Sequence, residues 1–204
     1  AAESVREAIR RDPLRPEAHN VLGVALAAEG KSPEARAECD RAIALDPRNA
    51  NMHFWVGQSL TLRECHAEAR TAFARATLLD PTHAGIWAQL AVTDLINGDP
   101  ARAVKSYEHS LAIDPQAHRV RIFFATALEL AGDAERAQSE LDTAIAGLYP
   151  TDVGYWRMAA AMFGYMHANR TSLTAAEVGL MVAPDDAELG RLRREAFDAL
   201  EAPR

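Results

Sequence analysis

Apolar residues recur every three to four positions along most of the chain, and prolines interrupt this pattern. In residues 16–28 the apolar or small residues that share one helical face are Ala18, Val21, Leu22, Ala25 and Leu26. Gly30 follows, and glycine is suited to the left-handed terminus of a helix. Ser32 and Pro33 then predict a new helix, with the serine as N-cap and the proline at the first helical position. That helix ends before Pro47, because proline restricts the residue ahead of it.

The interruptions are periodic. Pro13, Pro47, Pro81 and Pro115 are evenly spaced, Pro150 comes one position late, and Pro184 follows it at the original interval. Each interval holds two helical patterns, so the chain is predicted to be an array of helix pairs. The extra residue in Gly-Leu-Tyr-Pro (147–150) predicts a local change in the angle between successive pairs.

The interval has the length of a tetratricopeptide repeat, which is a helix–turn–helix unit of about 34 residues. In the third unit the residues that carry the family pattern are Trp87, Leu90, Ala91, Ala103, Tyr107 and Pro115. The sequence resembles this family over nearly its whole length. Departures from the pattern include Cys39, which occupies an aromatic position, and Ser172 and Gly179, which stand where alanine is expected.

The resemblance implies an all-α fold, a right-handed superhelical solenoid of antiparallel helix pairs with a C-terminal capping helix. We predict a single domain over 1–204, in which residues 1–15 contain the second helix of a truncated repeat. The five predicted repeats are 16–49, 50–83, 84–117, 118–152 and 153–185. Residues 186–204 form the predicted capping helix, with Asp185 and Glu188 as a capping box.

Small residues at two places in each unit are assigned to structure. Gly23 and Gly57 are expected where the two helices of a unit approach most closely, and Ala35 and Ala69 are their counterparts on the second helix. A larger side chain at such a contact overpacks it, at about 1–3 kcal/mol.

Composition narrows the function. A formal net charge of −7 argues against nucleic-acid binding, which draws on clustered Lys and Arg. No apolar run reaches the length of about 18–20 residues that a bilayer-spanning helix needs. The chain begins within a repeat and without Met, which suggests a fragment or a processed product. Its Arg-, Ala- and Asp-rich composition suggests a high-GC bacterial source.

Reactive side chains do not form a recognisable site in the sequence. His19 and His53 occupy equivalent positions, where Trp87 stands in the third unit, and we interpret them as packing residues. Cys65 and His66 lack further ligands at the spacings that zinc sites use. No phosphate-binding loop, nucleophile elbow or metalloprotease motif occurs. We therefore expect no catalytic residue, cofactor or metal, and hence not an enzyme.

The candidate site is a groove. In this family the first helix of each repeat lines the concave surface, so the resemblance implies a binding face that is largely apolar here. The predicted groove residues are Asn20, Val24, Asn51, Phe54, Gln58, Leu62, Val92, Ile96, Arg119, Ile122, Thr126 and Arg157. Some family members hold C-terminal carboxylates with a clamp of lysines and asparagines, whose positions fall here on Asn20, Val24, Trp55, Gly85 and Gln89 and include no cation. Shifted by one unit, the positions fall on Phe54, Gln58, Gln89, Arg119 and Phe123 and include one cation.

The sequence thus predicts a non-catalytic scaffold or adaptor that binds a protein or peptide segment with apolar anchors. Arg119 and Arg157 suggest an acidic end on that segment. Two alternatives stay open: the recognition part of a larger enzyme, and a homo-oligomer that assembles through Val5, Ala8 and Ile9 of the unpaired N-terminal helix. We expect no nucleic acid and no membrane insertion. The expected compartment is the cytoplasm, with the periplasm as the alternative.

Overall fold

The computed structural model describes residues 2–147 and 152–202, apart from the side chains of Ala2 and Ser32. Within these ranges the chain is entirely helical outside its turns, with twelve α-helices and no strand. The prediction that Ser32 is an N-cap is wrong, because α3 begins at Ser32 and its N-cap residue is Lys31. The predicted change of angle around Pro150 lies outside the described part.

The helices alternate with short turns along the whole described chain. Their bounds are α1 Ala2–Arg11, α2 Pro16–Ala28, α3 Ser32–Leu45, α4 Ala50–Leu62, α5 His66–Leu79, α6 Ala84–Ile96, α7 Pro100–Ile113, α8 His118–Leu130, α9 Ala134–Gly147, α10 Val153–Tyr165, α11 Asn169–Val182 and α12 Ala187–Glu201. The fold is therefore that of an all-α helical-repeat protein. The division into one domain of five repeats stays a prediction.

The turn inside each helix pair uses a left-handed residue. Gly30, Gly98 and Gly132 have φ values of 76°, 76° and 90°. At the equivalent places Glu64 and His167 adopt φ values of 58° and 60°, although neither is a glycine. This conformation is costly for a residue with a Cβ. The repeat geometry therefore imposes the turn even where the sequence does not favour it.

One position in the first helix of four repeats binds the preceding turn. The side chains of His19, His53, Trp87 and Arg121 each donate to a proline carbonyl six residues earlier, at 2.9–3.0 Å. The acceptors are the carbonyl oxygens of Pro13, Pro47, Pro81 and Pro115. Three chemically different side chains thus fill the same structural role.

The chain divides into two compact units, Ala1–Asp99 and Pro100–Arg204. In the first unit, Phe73 is fully buried among residues of α3 to α6, together with Val56 and Leu60. In the second unit, Trp156, Phe163 and Leu189 are buried in a cluster that draws on α8 to α12.

Close helix contacts explain the small residues. A Cβ on Gly57 would lie 2.7 Å from the Phe73 ring, and one on Gly23 would lie 2.8 Å from Cys39 Sγ. The departures from the family pattern in α11 behave in the same way. A Cβ on Gly179 would meet Leu189 at 2.7 Å, and Ser172 donates to the Ala160 carbonyl at 2.8 Å.

The two terminal helices differ from expectation in detail. In α1, Val5 and Ile9 pack partly buried against the core of the first unit, whereas Ala8 is exposed. At α12 the N-cap is Asp186 and not Asp185, because Asp186 Oδ1 accepts from Leu189 N at 2.9 Å.

Candidate functional site

The first unit contains an open groove between the first helices of two successive repeats, α2 and α4. We call it the α2–α4 groove, and it has a volume of about 320 Å³. Its lining residues are Glu17, Asn20, Val21, Val24, Trp55, Gln58, Ser59 and Leu62. Its size falls at the lower end of the range for ligand sites in proteins, about 300–1,000 Å³.

The walls of this groove are mostly apolar and accessible. Leu62 is 73% exposed and Val21 is 50% exposed, so neither side chain belongs to the hydrophobic core. Val24 and Trp55 are half-buried along the same walls. Exposed apolar side chains that meet in a concave surface are typical of a binding site.

Four of the eight lining residues are polar: Glu17, Asn20, Gln58 and Ser59. Asn20 is only 6% exposed, and its Oδ1 is buried without a hydrogen-bond partner among the described residues. A buried polar atom left in this state costs about 1–3 kcal/mol. Gln58 is exposed and offers an amide donor and acceptor. Glu17 is the one charged residue among the eight lining residues. Its Oε2 lies 3.8 Å from Nε of Arg15.

Four of the twelve predicted site residues line the α2–α4 groove: Asn20, Val24, Gln58 and Leu62. Others in the first unit lie elsewhere. The ring of Phe54 packs with those of Phe73 and His83, at centroid distances of 5.8 and 6.3 Å. Asn51 and Ile96 are exposed and Val92 is half-buried, but none of them lines the groove.

In the second unit the prediction of an accessible face is wrong for two residues. Ile122 is 1% exposed and belongs to the buried cluster of Trp156 and Phe163. Thr126 is fully buried, and its hydroxyl donates to the Ile122 carbonyl at 3.1 Å. For Ile122 the reason is packing, since it shares its buried cluster with Trp156 and Phe163 of α10.

The two predicted cations of the second unit have different surroundings. Arg157 Nη2 lies 2.7 Å from Asp186 Oδ2, and its Nε lies 3.4 Å from Glu188, so Arg157 ties α10 to α12. Arg119 is exposed, and its guanidinium lies 4.9 Å from the centroid of the Tyr155 ring. Contact with the electron-rich face of an aromatic ring is favourable for a cation.

Sequence reasoning missed four residues of the α2–α4 groove: Glu17, Val21, Trp55 and Ser59. Val21 and Trp55 are equivalent positions of successive repeats. Each directly follows a residue predicted to face the groove, Asn20 or Phe54. In α2 the neighbouring positions Asn20 and Val21 both line the groove, whereas in α4 Trp55 lines it and Phe54 does not.

Metal chemistry finds no support in the described residues. They contain no group of three or more His, Cys, Asp or Glu side chains placed to hold a metal ion. Nor is any helix of residues 2–147 and 152–202 long and apolar enough to cross a membrane.

The fold defines the class of helical-repeat proteins, and a comparison of the sequence with known protein families gives the same class. Two models, both described as tetratricopeptide repeat, match the sequence, one over residues 1–50 and 30–84 and the other over 94–161. The chain therefore belongs to the tetratricopeptide-repeat family. This repeat is a protein–protein interaction module, and its proteins are generally non-catalytic scaffolds.

Solved structures show the same fold at low sequence identity. PilF of Pseudomonas aeruginosa is 22% identical with a TM-score of 0.67, and the match covers 94% of this chain and 86% of that one. YrrB, described as a tetratricopeptide-repeat protein with an unusual peptide-binding site, is 18% identical with a TM-score of 0.65, over 95% of this chain and 100% of its own. MamA is 20% identical with a TM-score of 0.64, and the match covers 72% of this chain and 85% of MamA. No curated protein matches the sequence.

Proposed function

We propose that this protein is a non-catalytic scaffold that binds an extended peptide segment of a partner protein in the α2–α4 groove. The observation that carries the proposal is Asn20, which lines the groove and whose Oδ1 is buried without a partner among the described residues. A peptide group supplies both an N–H donor and a carbonyl acceptor, so one backbone amide of the segment pairs with the Asn20 side-chain amide when that side chain rotates toward the groove.

The lining sets the chemistry of the segment. Val21, Val24 and Leu62 favour apolar anchors, since these side chains gain from being removed from water. Glu17 is the charged residue of the groove and has only a loose contact with Arg15, which favours a basic residue at that end of the segment. The partner segment is therefore apolar with a basic end.

This proposal replaces the acidic end expected from Arg119 and Arg157, because Arg157 already pairs with Asp186 and Glu188. It also does not need self-assembly through α1, where Val5 and Ile9 already pack against the first unit's core. YrrB has a peptide-binding site by its description, which supports peptide binding on this fold.

The test uses short peptides selected from a random library on the full chain, with their affinities measured by calorimetry. Leu62→Glu places a charge on the groove wall and should weaken binding about tenfold or more, since a desolvated charge without a partner is unfavourable. Leu78→Glu is the matched control, because Leu78 is 75% exposed against 73% for Leu62 and lies on α5 outside the groove.

Circular dichroism first establishes that both variants are folded. Equal affinities for wild type, Leu62→Glu and Leu78→Glu would contradict the proposal, as would selected peptides without apolar residues.

A further inference from the structure

The second repeat lacks a carboxylate that the first repeat has at the same position. In the first repeat, His19 Nδ1 lies 2.6 Å from Oε2 of Glu38 on α3, while Nε2 lies 2.9 Å from the Pro13 carbonyl. Both partners are acceptors, so the ring makes both bonds only when each nitrogen carries a proton. In the fourth repeat, Arg121 pairs in the same way with Glu140 on α9. The two carboxylates follow their partners at the same sequence separation.

The corresponding position in the second repeat is Ala72. His53 repeats the first half of the pattern, with Nε2 at 3.0 Å from the Pro47 carbonyl. Its Nδ1 has no hydrogen-bond partner among the described residues, although the side chain is only 7% exposed. An imidazole nitrogen is thus left open where a neighbouring repeat places a glutamate.

A cleft stands where that glutamate would be. Residues of α3, α4 and α5 line this cleft, which has a volume of about 400 Å³. We call it the α3–α5 cleft. Its lining residues are Arg36, Asp40, Ile43, His53, Val56, Leu60, Glu68, Thr71, Ala72 and Arg75. These come mainly from the second helices of two repeats, so the cleft is separate from the α2–α4 groove.

The α3–α5 cleft is lined by two cations, Arg36 and Arg75, and by two carboxylates, Asp40 and Glu68. Arg36 Nη1 lies 2.6 Å from Glu68 Oε1, and Arg36 Nε lies 3.8 Å from Asp40 Oδ2, so Arg36 is paired with both carboxylates. Arg75 is exposed and forms no ion pair within the described ranges. The cleft therefore offers the Arg75 guanidinium as a donor, next to the apolar side chains of Ile43, Val56 and Leu60. His53 Nδ1 is a second donor when the ring carries a proton on both nitrogens, because Nε2–H already donates to the Pro47 carbonyl.

We propose that the α3–α5 cleft binds a glutamate side chain presented by a segment of a partner protein. The carboxylate accepts from His53 Nδ1 and from Arg75, as Glu38 bonds to His19 in the first repeat. The glutamate's methylene groups lie against the apolar residues of the cleft. This is a second docking site on the molecule and does not depend on the peptide proposed for the α2–α4 groove.

The probe is a blocked, alanine-rich helical peptide with a single glutamate, and its control is the same peptide with glutamine. Binding to the full chain is followed by NMR, through the His53 ring and the backbone amides of α3 and α5. The glutamate peptide should shift the His53 ring signals and bind about tenfold or more tightly than its glutamine counterpart. Free glutarate should bind more weakly than the glutamate peptide.

Two variants locate the effect. Ala72→Glu fills the cleft as Glu38 does in the first repeat, and it should abolish binding of the peptide. Arg75→Gln should weaken binding about tenfold while leaving the fold unchanged, because Arg75 is exposed.

Equal binding of the glutamate and glutamine peptides would overturn the proposal, and so would unchanged His53 signals. Undiminished binding by Ala72→Glu would place the peptide elsewhere. Glutarate that binds as tightly as the peptide would identify a free acid, not a protein segment, as the ligand. If Ala72→Glu does not fold, the two peptides on wild type and Arg75→Gln decide the question.

Discussion

The first helices of the two units carry equivalent residues in opposite environments. Gln58 in α4 is exposed at the wall of the α2–α4 groove, whereas Thr126, two repeats later in α8, is fully buried. Phe54 is half-buried, and its equivalent Ile122 is buried in the cluster of Trp156 and Phe163. Repeat register therefore fixes which side of a helix a residue lies on. It does not fix whether neighbouring side chains cover that side.

The largest expected effect tests this difference through stability. Ile122→Ala should lower the free energy of unfolding by about 2–5 kcal/mol, because it removes a fully buried aliphatic side chain and leaves a cavity. Leu62→Ala should change it by no more than about 0.5 kcal/mol, since Leu62 is exposed in the groove. Urea unfolding followed by circular dichroism and tryptophan fluorescence measures both.

If Ile122→Ala and Leu62→Ala lower the free energy of unfolding by similar amounts, the two first-helix faces do not differ in burial. Fluorescence and circular dichroism must report the same transition for a single free energy to be defined, which matters for repeat proteins.

A smaller effect concerns the ion pair between Arg157 and Asp186 in the second unit. The Leu189 backbone N–H and the Arg157 guanidinium both hydrogen-bond to Asp186, and together they lower the pKa of its carboxyl group from its usual 3.8. A lowered pKa in the folded state stabilises the protein above the unfolded pKa, and this stabilisation is lost as the pH falls through the folded pKa. Asp186→Asn keeps an N-cap acceptor and removes the charge.

We therefore expect wild type to melt at a higher temperature than Asp186→Asn near neutral pH. The difference should shrink as the pH falls below about 4. Asp185→Asn is the matched control, since Asp185 is exposed and lies just outside α12. Melting temperatures followed by circular dichroism across this pH range measure the effect. A difference for Asp186→Asn that does not change with pH would contradict it.

Much of the fold follows from local sequence. The prolines and the left-handed glycines at 30, 98 and 132 mark the ends of helices, so the helix pairs could be placed without a structure. The turn at Glu64 could not be found in this way, because the repeat imposes its conformation against local preference. The Asp186 N-cap was missed for a simpler reason, since two adjacent aspartates give the same local signal.

The candidate site was less predictable. The pattern identifies Asn20 and Leu62 as first-helix face residues, and both line the groove. It cannot identify Ile122 as core, because its burial depends on Trp156 and Phe163, which lie in α10, a full repeat later in the chain. The α3–α5 cleft depends on Ala72 replacing a glutamate across from His53, and this contact becomes visible only when the helices are packed.

The central claim is that Asn20 holds a backbone amide of a bound peptide segment, and one measurement tests it directly. Each backbone nitrogen of a selected peptide is methylated in turn, and affinity is measured for wild type and for Asn20→Leu, after circular dichroism has established that the variant is folded. The account predicts one position where methylation weakens binding to wild type about tenfold or more but leaves binding to Asn20→Leu unchanged. The same methylation profile on both proteins would contradict it.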